Sequence, residues 1–196
     1  MFETVRNAFK IKDLRKKLFY TFFALIVVRI GSQLPVPGVK YEAIREMFNS
    51  QKSLDFFNQL TGGSFEQMSI FALNITPYIT ASIIIQLLTI AIPRLEELHK
   101  DGEEGRKKLT EYTRYVTIGL SVLESAAMAI GFGNSGYLTD DKITFTSVSV
   151  IIVSLTAGSA FLMWLGEQIT EKGVGNGISI ILLYNIVSRL PNDMAN

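Results

Sequence analysis

The sequence predicts an all-α membrane protein with five spans. Three observations lead there. The 196 residues are 48% hydrophobic with a positive mean hydropathy, yet the apolar residues come in runs divided by polar stretches, as repeated bilayer crossing requires. Residues 75–92, within SIFALNITPYITASIIIQLLTIAIP (69–93), are apolar for nearly the roughly 20 residues that a helix needs to cross about 30 Å of hydrocarbon. Basic residues gather before the first apolar run and between the second and third, a bias that marks one side of a membrane.

Composition narrows the function classes. A net charge of +1 argues against nucleic-acid binding, which calls for a strongly basic face. The absence of cysteine excludes disulfides, thiolate zinc sites and a cysteine nucleophile. The single histidine, His99, has no second histidine or cysteine to complete a metal site or a triad, and it reads as a solvated residue. No metal, other cofactor or catalytic residue is expected. The first apolar run is long and lacks a small-x-small cleavage pattern after it, so it is expected to stay in the protein.

Residues 1–17 carry Arg6, Lys10, Lys12, Arg15, Lys16 and Lys17, a segment suited to lie as an amphipathic helix on an anionic cytoplasmic leaflet and to keep the N-terminus inside. The first span, 18–34, ends before Pro35 and Pro37, which lack backbone donors. Arg29, toward its outer end, is placed to snorkel to the interface. Residues 39–74 follow outside, where LDFFNQLTGGS (54–64) is an apolar patch broken by Gly62 and Gly63. Composition alone favours an interfacial loop there.

The second span, 75–92, runs inward with Pro77 in its first turns. Residues 93–113 read as a charged cytoplasmic loop with Gly102 and Gly105 at turns. In the third span, 114–132, Gly119, Ser121, Ser125, Ala126 and Ala129 permit close helix contact. Glu124 lies near its middle, where a carboxylate must be paired, protonated or turned to water. The fourth span, 147–165, has a close-packing patch at 157–160 and Trp164 at interface depth. GVGNG (173–177) lacks the lysine of a phosphate-binding loop and reads as a glycine hinge before the fifth span, 178–190. With the N-terminus inside, most of the 19 basic residues fall in the cytoplasm.

Two patterns carry chemistry. Ile75, Ile79, Ser82, Gln86 and Thr89 fall within roughly 40° of one meridian of the second span. A polar group left unpaired in hydrocarbon costs several kcal/mol, so this stripe meets other helices as glue or lines a watery path. Ile178, Leu182 and Asn185 share a face of the fifth span in the same order, aliphatics and then an amide. No span holds an aspartate or a nucleophile with its base, which argues against an enzyme. Half of an inverted-repeat solute transporter also fits five spans, although only Glu124 offers it a midplane charge. A membrane scaffold without a pore of its own is the remaining alternative.

These residues sit in stretches with a recognisable likeness. RIGSQLPVPG (29–38), SIFALNITPYITASIIIQLLT (69–89), DGEEGRKKLTEYTRY (101–115) and FLMWLGEQITEKGVGNGIS (161–179) resemble, in order, the SecY family, the pore subunits of the Sec protein-translocation channel. Family members are longer and built of two inverted repeats, of which this chain resembles the first. The resemblance implies a re-entrant plug at about 54–68, including Phe56, Phe57, Leu60, Gly62 and Gly63. It implies a pore ring containing Ile75, Ile79, Ile178 and Leu182, the last departing from a common isoleucine. Thr80, Gln86 and Glu124 would belong to a lateral gate, and Arg106, Lys107 and Lys108 would contact the SecA motor or the ribosome. Further implied partners are SecE, SecG, signal sequences, secretory polypeptides, lipid, and a C-terminal half or a second copy. The implied location is the bacterial cytoplasmic membrane.

Overall fold

A computed structural model describes residues 11–50, 58–59, 61–139 and 144–193. Residues 1–10 of the basic segment, and Phe56, Phe57 and Leu60 of the expected plug, lie outside these. The described residues form helices α1 (Lys12–Gly31), α2 (Tyr41–Ser50), α3 (Thr76–Ala91), α4 (Pro93–Lys100), α5 (Gly102–Asn134), α6 (Phe145–Lys172) and α7 (Gly177–Asp193). They contain no strand, only isolated bridges between Pro35 and Ser69 and between Val39 and Leu138.

Helices form on the apolar runs, but most extend beyond them. α1 starts at Lys12, so Lys12, Arg15, Lys16 and Lys17 make its first turns and not a separate surface helix. It stops at Gly31, before the expected boundary, because the chain there changes partners. The Leu34 carbonyl accepts from Ile70 N–H at 2.9 Å, and Val36 N–H donates to the Met68 carbonyl at 2.8 Å. A helix carried through these residues would turn the same groups onto itself.

α3 keeps the expected second span, with Pro77 in its first turn. The charged stretch after it is helical, not a loop. α4 leaves α3 with a 104° bend, and α5 starts at Gly102 (φ +73°), well before Arg114. Lys, Leu and Glu are good helix formers, and Glu103 and Glu104 in the first turn complement the helix dipole. Gly105, expected at a turn, lies inside α5, where a Cβ would strike the Leu98 carbonyl of α4.

α6 continues to Lys172 and leaves only residues 173–176 for the return. This turn is tightly packed. Gly173 lies against Thr21 and the Ile169 carbonyl, Gly177 against the Gly166 carbonyl, and Val174 N–H donates to Thr21 Oγ1 at 3.2 Å. Asn176 Oδ1 accepts from Ser179 N–H at 3.2 Å and caps α7. Gly173 and Gly177 serve close approach, and Gly175, at φ +70°, makes the turn.

α5 and α6 pair through small polar side chains. Thr113, Thr117, Ser121, Ser125 and Ala129 form one buried face of α5. The first three hydroxyls donate to the carbonyls four residues earlier. Ser121 donates to Ser159 at 3.2 Å, and the Ser125 and Thr156 hydroxyls share a bond of 3.2 Å. Ser121, Ser125 and Ala129 match the sequence reading, whereas Gly119 faces open space.

By length and hydropathy α5 and α6 can each cross a membrane, and α3 with α4 makes a third if the bent pair is one span; α7 has a shorter apolar stretch, Gly177–Ser188. One apolar cluster gathers Val36, Ile44, Met68, Phe132, Leu138, Ile151 and Leu155. A second gathers Ala24, Val28, Phe71, Ile75, Leu162, Ile169 and Ile181. The irregular segment 61–75 contributes to both. Gly31 and Gly158 make room for it, since a Cβ on Gly31 would strike the Phe71 ring and one on Gly158 the Ile70 carbonyl. Gly158→Val is therefore expected to cost about 1 to 3 kcal/mol by overpacking. This would appear as a lower melting temperature in detergent, while Gly131→Ala, with nothing within 4 Å of the added carbon, should not lower it.

Candidate functional site

The site is built on a stretch that is neither helix nor strand. From Gly62 to Ala72 every backbone N–H has an acceptor. Those of Gly62, Gly63, Ser64, Gln67, Met68, Ser69, Ile70 and Ala72 reach carbonyls, and those of Phe65, Glu66 and Phe71 reach the side-chain oxygens of Thr61, Asn58 and Ser69. Gly62 (φ +64°), Gly63 (φ +85°), Met68 (φ +42°) and Asn74 (φ +54°) supply the left-handed corners. Glycine adopts these without strain, and asparagine tolerates them. Irregular backbone with its groups thus satisfied can be buried. Asn58 also donates to Glu66 at 2.7 Å, and Glu66 pairs with the exposed Arg45 at 3.3 Å.

The segment delivers Ile75 to the start of α3. Ile75 is fully buried, and Ile79, Ile178 and Leu182 pack, half-buried, on the same cluster. The structure therefore brings the four expected ring residues together. A Cβ on Gly166 would strike Ile178, so α6 backs this group closely. Along α3 the stripe rises from the core: Ile75 is buried, Ile79 and Ser82 are half-buried and Gln86 is exposed, with Thr89 beyond it half-buried.

The expected gate residues do not form one contact. Gln86 Nε2 donates to Ser82 Oγ of its own helix at 3.3 Å. Thr80, also exposed, lies about 120° around α3 from Gln86 at 100° per residue. Glu124 is half-buried on α5. Arg106, Lys107 and Lys108 are all exposed on the first turns of α5. On α4 the Lys100 ammonium donates to Glu96 at 2.5 Å and holds that carboxyl below its ordinary value.

Three polar contacts join residues too distant in sequence for spacing to reveal them. Asn185 Nδ2 donates to Asn74 Oδ1 at 3.2 Å in the core. Arg114 binds the Glu167 carboxylate through both Nε (2.9 Å) and Nη2 (2.8 Å), tying α5 to α6. The Thr21 hydroxyl ties α1 to the turn after α6. Asn185 was visible only as an amide on the ring face of its helix.

A family model described as SecY matches residues 69–196. The chain belongs to the SecY family. Proteins named protein translocase subunit SecY from Bacillus subtilis, Halalkalibacterium halodurans and Corynebacterium glutamicum are 48%, 48% and 45% identical to it. The matches cover 97%, 99% and 97% of this chain and 44%, 45% and 46% of the relatives. The chain thus spans about half the length of these SecY proteins. Two solved structures share its fold at a TM-score of 0.62 and 21% identity, covering 89% of this chain and 36% of theirs. One is described as a protein conducting channel and the other as Sec61 in the canine ribosome-channel complex from the endoplasmic reticulum. The SecY match includes the four residues expected in a ring, Thr80, Gln86 and Glu124.

The Arg114–Glu167 pair offers a test of how the helices are held. Glu167 is the more enclosed partner, with 14% of its side chain exposed against 44% for Arg114. Arg114→Leu is expected to lower stability by about 1 kcal/mol, and Arg114→Leu with Glu167→Leu by less, because no charge is then left alone. Melting temperatures in detergent at fixed salt would check the order.

Proposed function

We propose that the chain is the first half of a channel that passes unfolded secretory polypeptides across the bacterial cytoplasmic membrane and releases membrane helices into it. One observation carries the reading: Ile75 and Ile79 at the start of α3 meet Ile178 and Leu182 at the start of α7 in one apolar cluster, in a chain of the SecY family. Apolar side chains from several helices at one depth disfavour continuous water when the channel is empty, and they fit around a passing chain without fixed bonds. The other ring residues would come from the remainder of the SecY length. The activity is conduction, without a catalytic step.

In this reading α1, α3, α5, α6 and α7 are the five spans, and the N-terminus is cytoplasmic. α3 is only about 24 Å long at 1.5 Å per residue, short of a hydrocarbon thickness of about 30 Å. The buried segment before it makes up the depth, and its first part, to residue 68, belongs to the expected plug; irregular backbone is tolerated there where protein buries it or a watery cavity adjoins it. Phe19, Phe22, Phe23, Leu87, Ile90, Tyr115, Leu123, Val153 and Leu183, each more than 60% exposed, supply a lipid-facing surface. The basic first turns of α1 and the charged helices α4 and early α5 then share the cytoplasmic side.

The half leaves the polar part of the α3 stripe uncovered, so a second half, as a separate fragment, a second copy or the rest of a longer chain, would close the path. Thr80, Gln86 and Glu124 would exchange weak hydrogen bonds across the lateral gate, worth about 0.6 to 2 kcal/mol each in membranes. Arg106, Lys107 and Lys108 would receive SecA or the ribosome, and SecE and SecG would complete the assembly. Support for the ribosome comes from the fold likeness to Sec61 of a ribosome-channel complex.

Photoreactive probes at Ile75, Ile79, Ile178 and Leu182 are expected to crosslink a stalled secretory polypeptide when the second half is present. No crosslink at any of the four would sink the pore assignment. Gln86→Leu is expected to shift the closed-to-open balance of the gate, and unchanged signal-sequence crosslinking in an assembled channel would count against that role.

A further inference from the structure

We propose that the buried amide pair Asn74–Asn185 is a latch that holds segment 61–75 on α7 and sets the depth of Ile75 beside Leu182. What the latch controls rests on the channel reading above; the latch itself rests on geometry.

Asn74 and Asn185 are 2% and 6% exposed, and their side chains bond at 3.2 Å across 111 positions of sequence. Two amides removed from water are tolerated where they are bonded, and separating them without water to replace the bond is unfavourable. Asn185 also carries the other end of the segment. A Cβ on Gly62 would lie 3.2 Å from both Cα and Cβ of Asn185, so Gly62 and Asn74 bear on one residue of α7. Between them the backbone holds non-glycine left-handed corners at Met68 and Asn74, a conformation that persists only where surrounding contacts impose it.

Position gives the bond its consequence. Asn74 directly precedes Ile75, and Asn185 lies one turn beyond Leu182 on the face shared with Ile178. A shift of the segment along α7 would therefore break the amide bond and move Ile75 relative to Leu182 together. The Arg45–Glu66 pair, with 69% of the Arg45 side chain exposed, is a weaker attachment because exposed ion pairs contribute little. Phe71 packs against Gly31, and the backbone bonds of Ile70 to Leu34 and of Met68 to Val36 tie the segment to the chain after α1 and not to α7.

The absence of cysteine makes a clean test available. Ser64, 3% exposed within the segment, is replaced by cysteine in the full chain in its native membrane. Its reaction rate with a membrane-impermeant maleimide then reports how often the segment opens. Asn185→Leu and Asn74→Gly, the latter free of strain at positive φ, are each expected to raise that rate about three- to tenfold. Combining them should raise it no further than the larger single effect, because both remove the same bond. Unchanged rates, or two effects that multiply in the double variant, would overturn the latch. Labelling needs no passing polypeptide, so a chain that labels as expected yet crosslinks no secretory polypeptide would keep the latch and lose the channel reading.

Discussion

A backbone that leaves regular structure while buried must find a partner for each of its polar groups, and much of this molecule follows from meeting that demand between Gly62 and Ala72. Two of the acceptors or donors are taken from the chain after α1, at Leu34 and Val36. Three more are side-chain oxygens of Asn58, Thr61 and Ser69, residues that in a helix would compete with the backbone for the same bonds. α1 ends where it does because its continuation is committed to this segment. Gly31 and Gly158 are glycines because a ring and a carbonyl of the segment occupy the space of their side chains.

The remaining contacts let the helices come close enough to enclose it. Along α5 the hydroxyls of Thr113, Thr117 and Ser121 satisfy themselves on their own helix, and Ser121 and Ser125 also meet α6. Small residues permit this proximity. The turn between α6 and α7 also relies on close approach, pressing Gly177 onto the Gly166 carbonyl while its N–H donates to the Thr170 hydroxyl at 2.9 Å. It also brings Ile178, the first turn of α7, beside α6 and within reach of the cluster that holds Ile75. Ile75 and Ile178 are thus set by two close backbone approaches and one irregular segment.

The grading of exposure along α3, from buried Ile75 to exposed Gln86, divides structural from available surface. The buried end is consumed in packing this half. The exposed end bonds only within its own helix, through Ser82 and Thr89, and those are bonds that another helix can replace at little cost.

Periodicity was enough to find the apolar runs and the face shared by Ile75 and Ile79 or by Ile178 and Leu182, because these depend on residues near one another along a helix. The extra turns of α1, α5 and α6 escaped that reading, since charged residues with good helix propensity extend a helix without adding to its apolar pattern. Gly105, Gly173 and Gly177 read as turn or hinge signals, whereas neighbouring backbones give them their purpose; Gly175, at φ +70°, is the turn glycine that the reading expects. The joining of Asn74 to Asn185, of Arg114 to Glu167 and of Thr21 to Val174 was decided only by the tertiary structure. A hydrogen bond depends on where two atoms meet, and no local pattern records a meeting between residues so far apart in the chain.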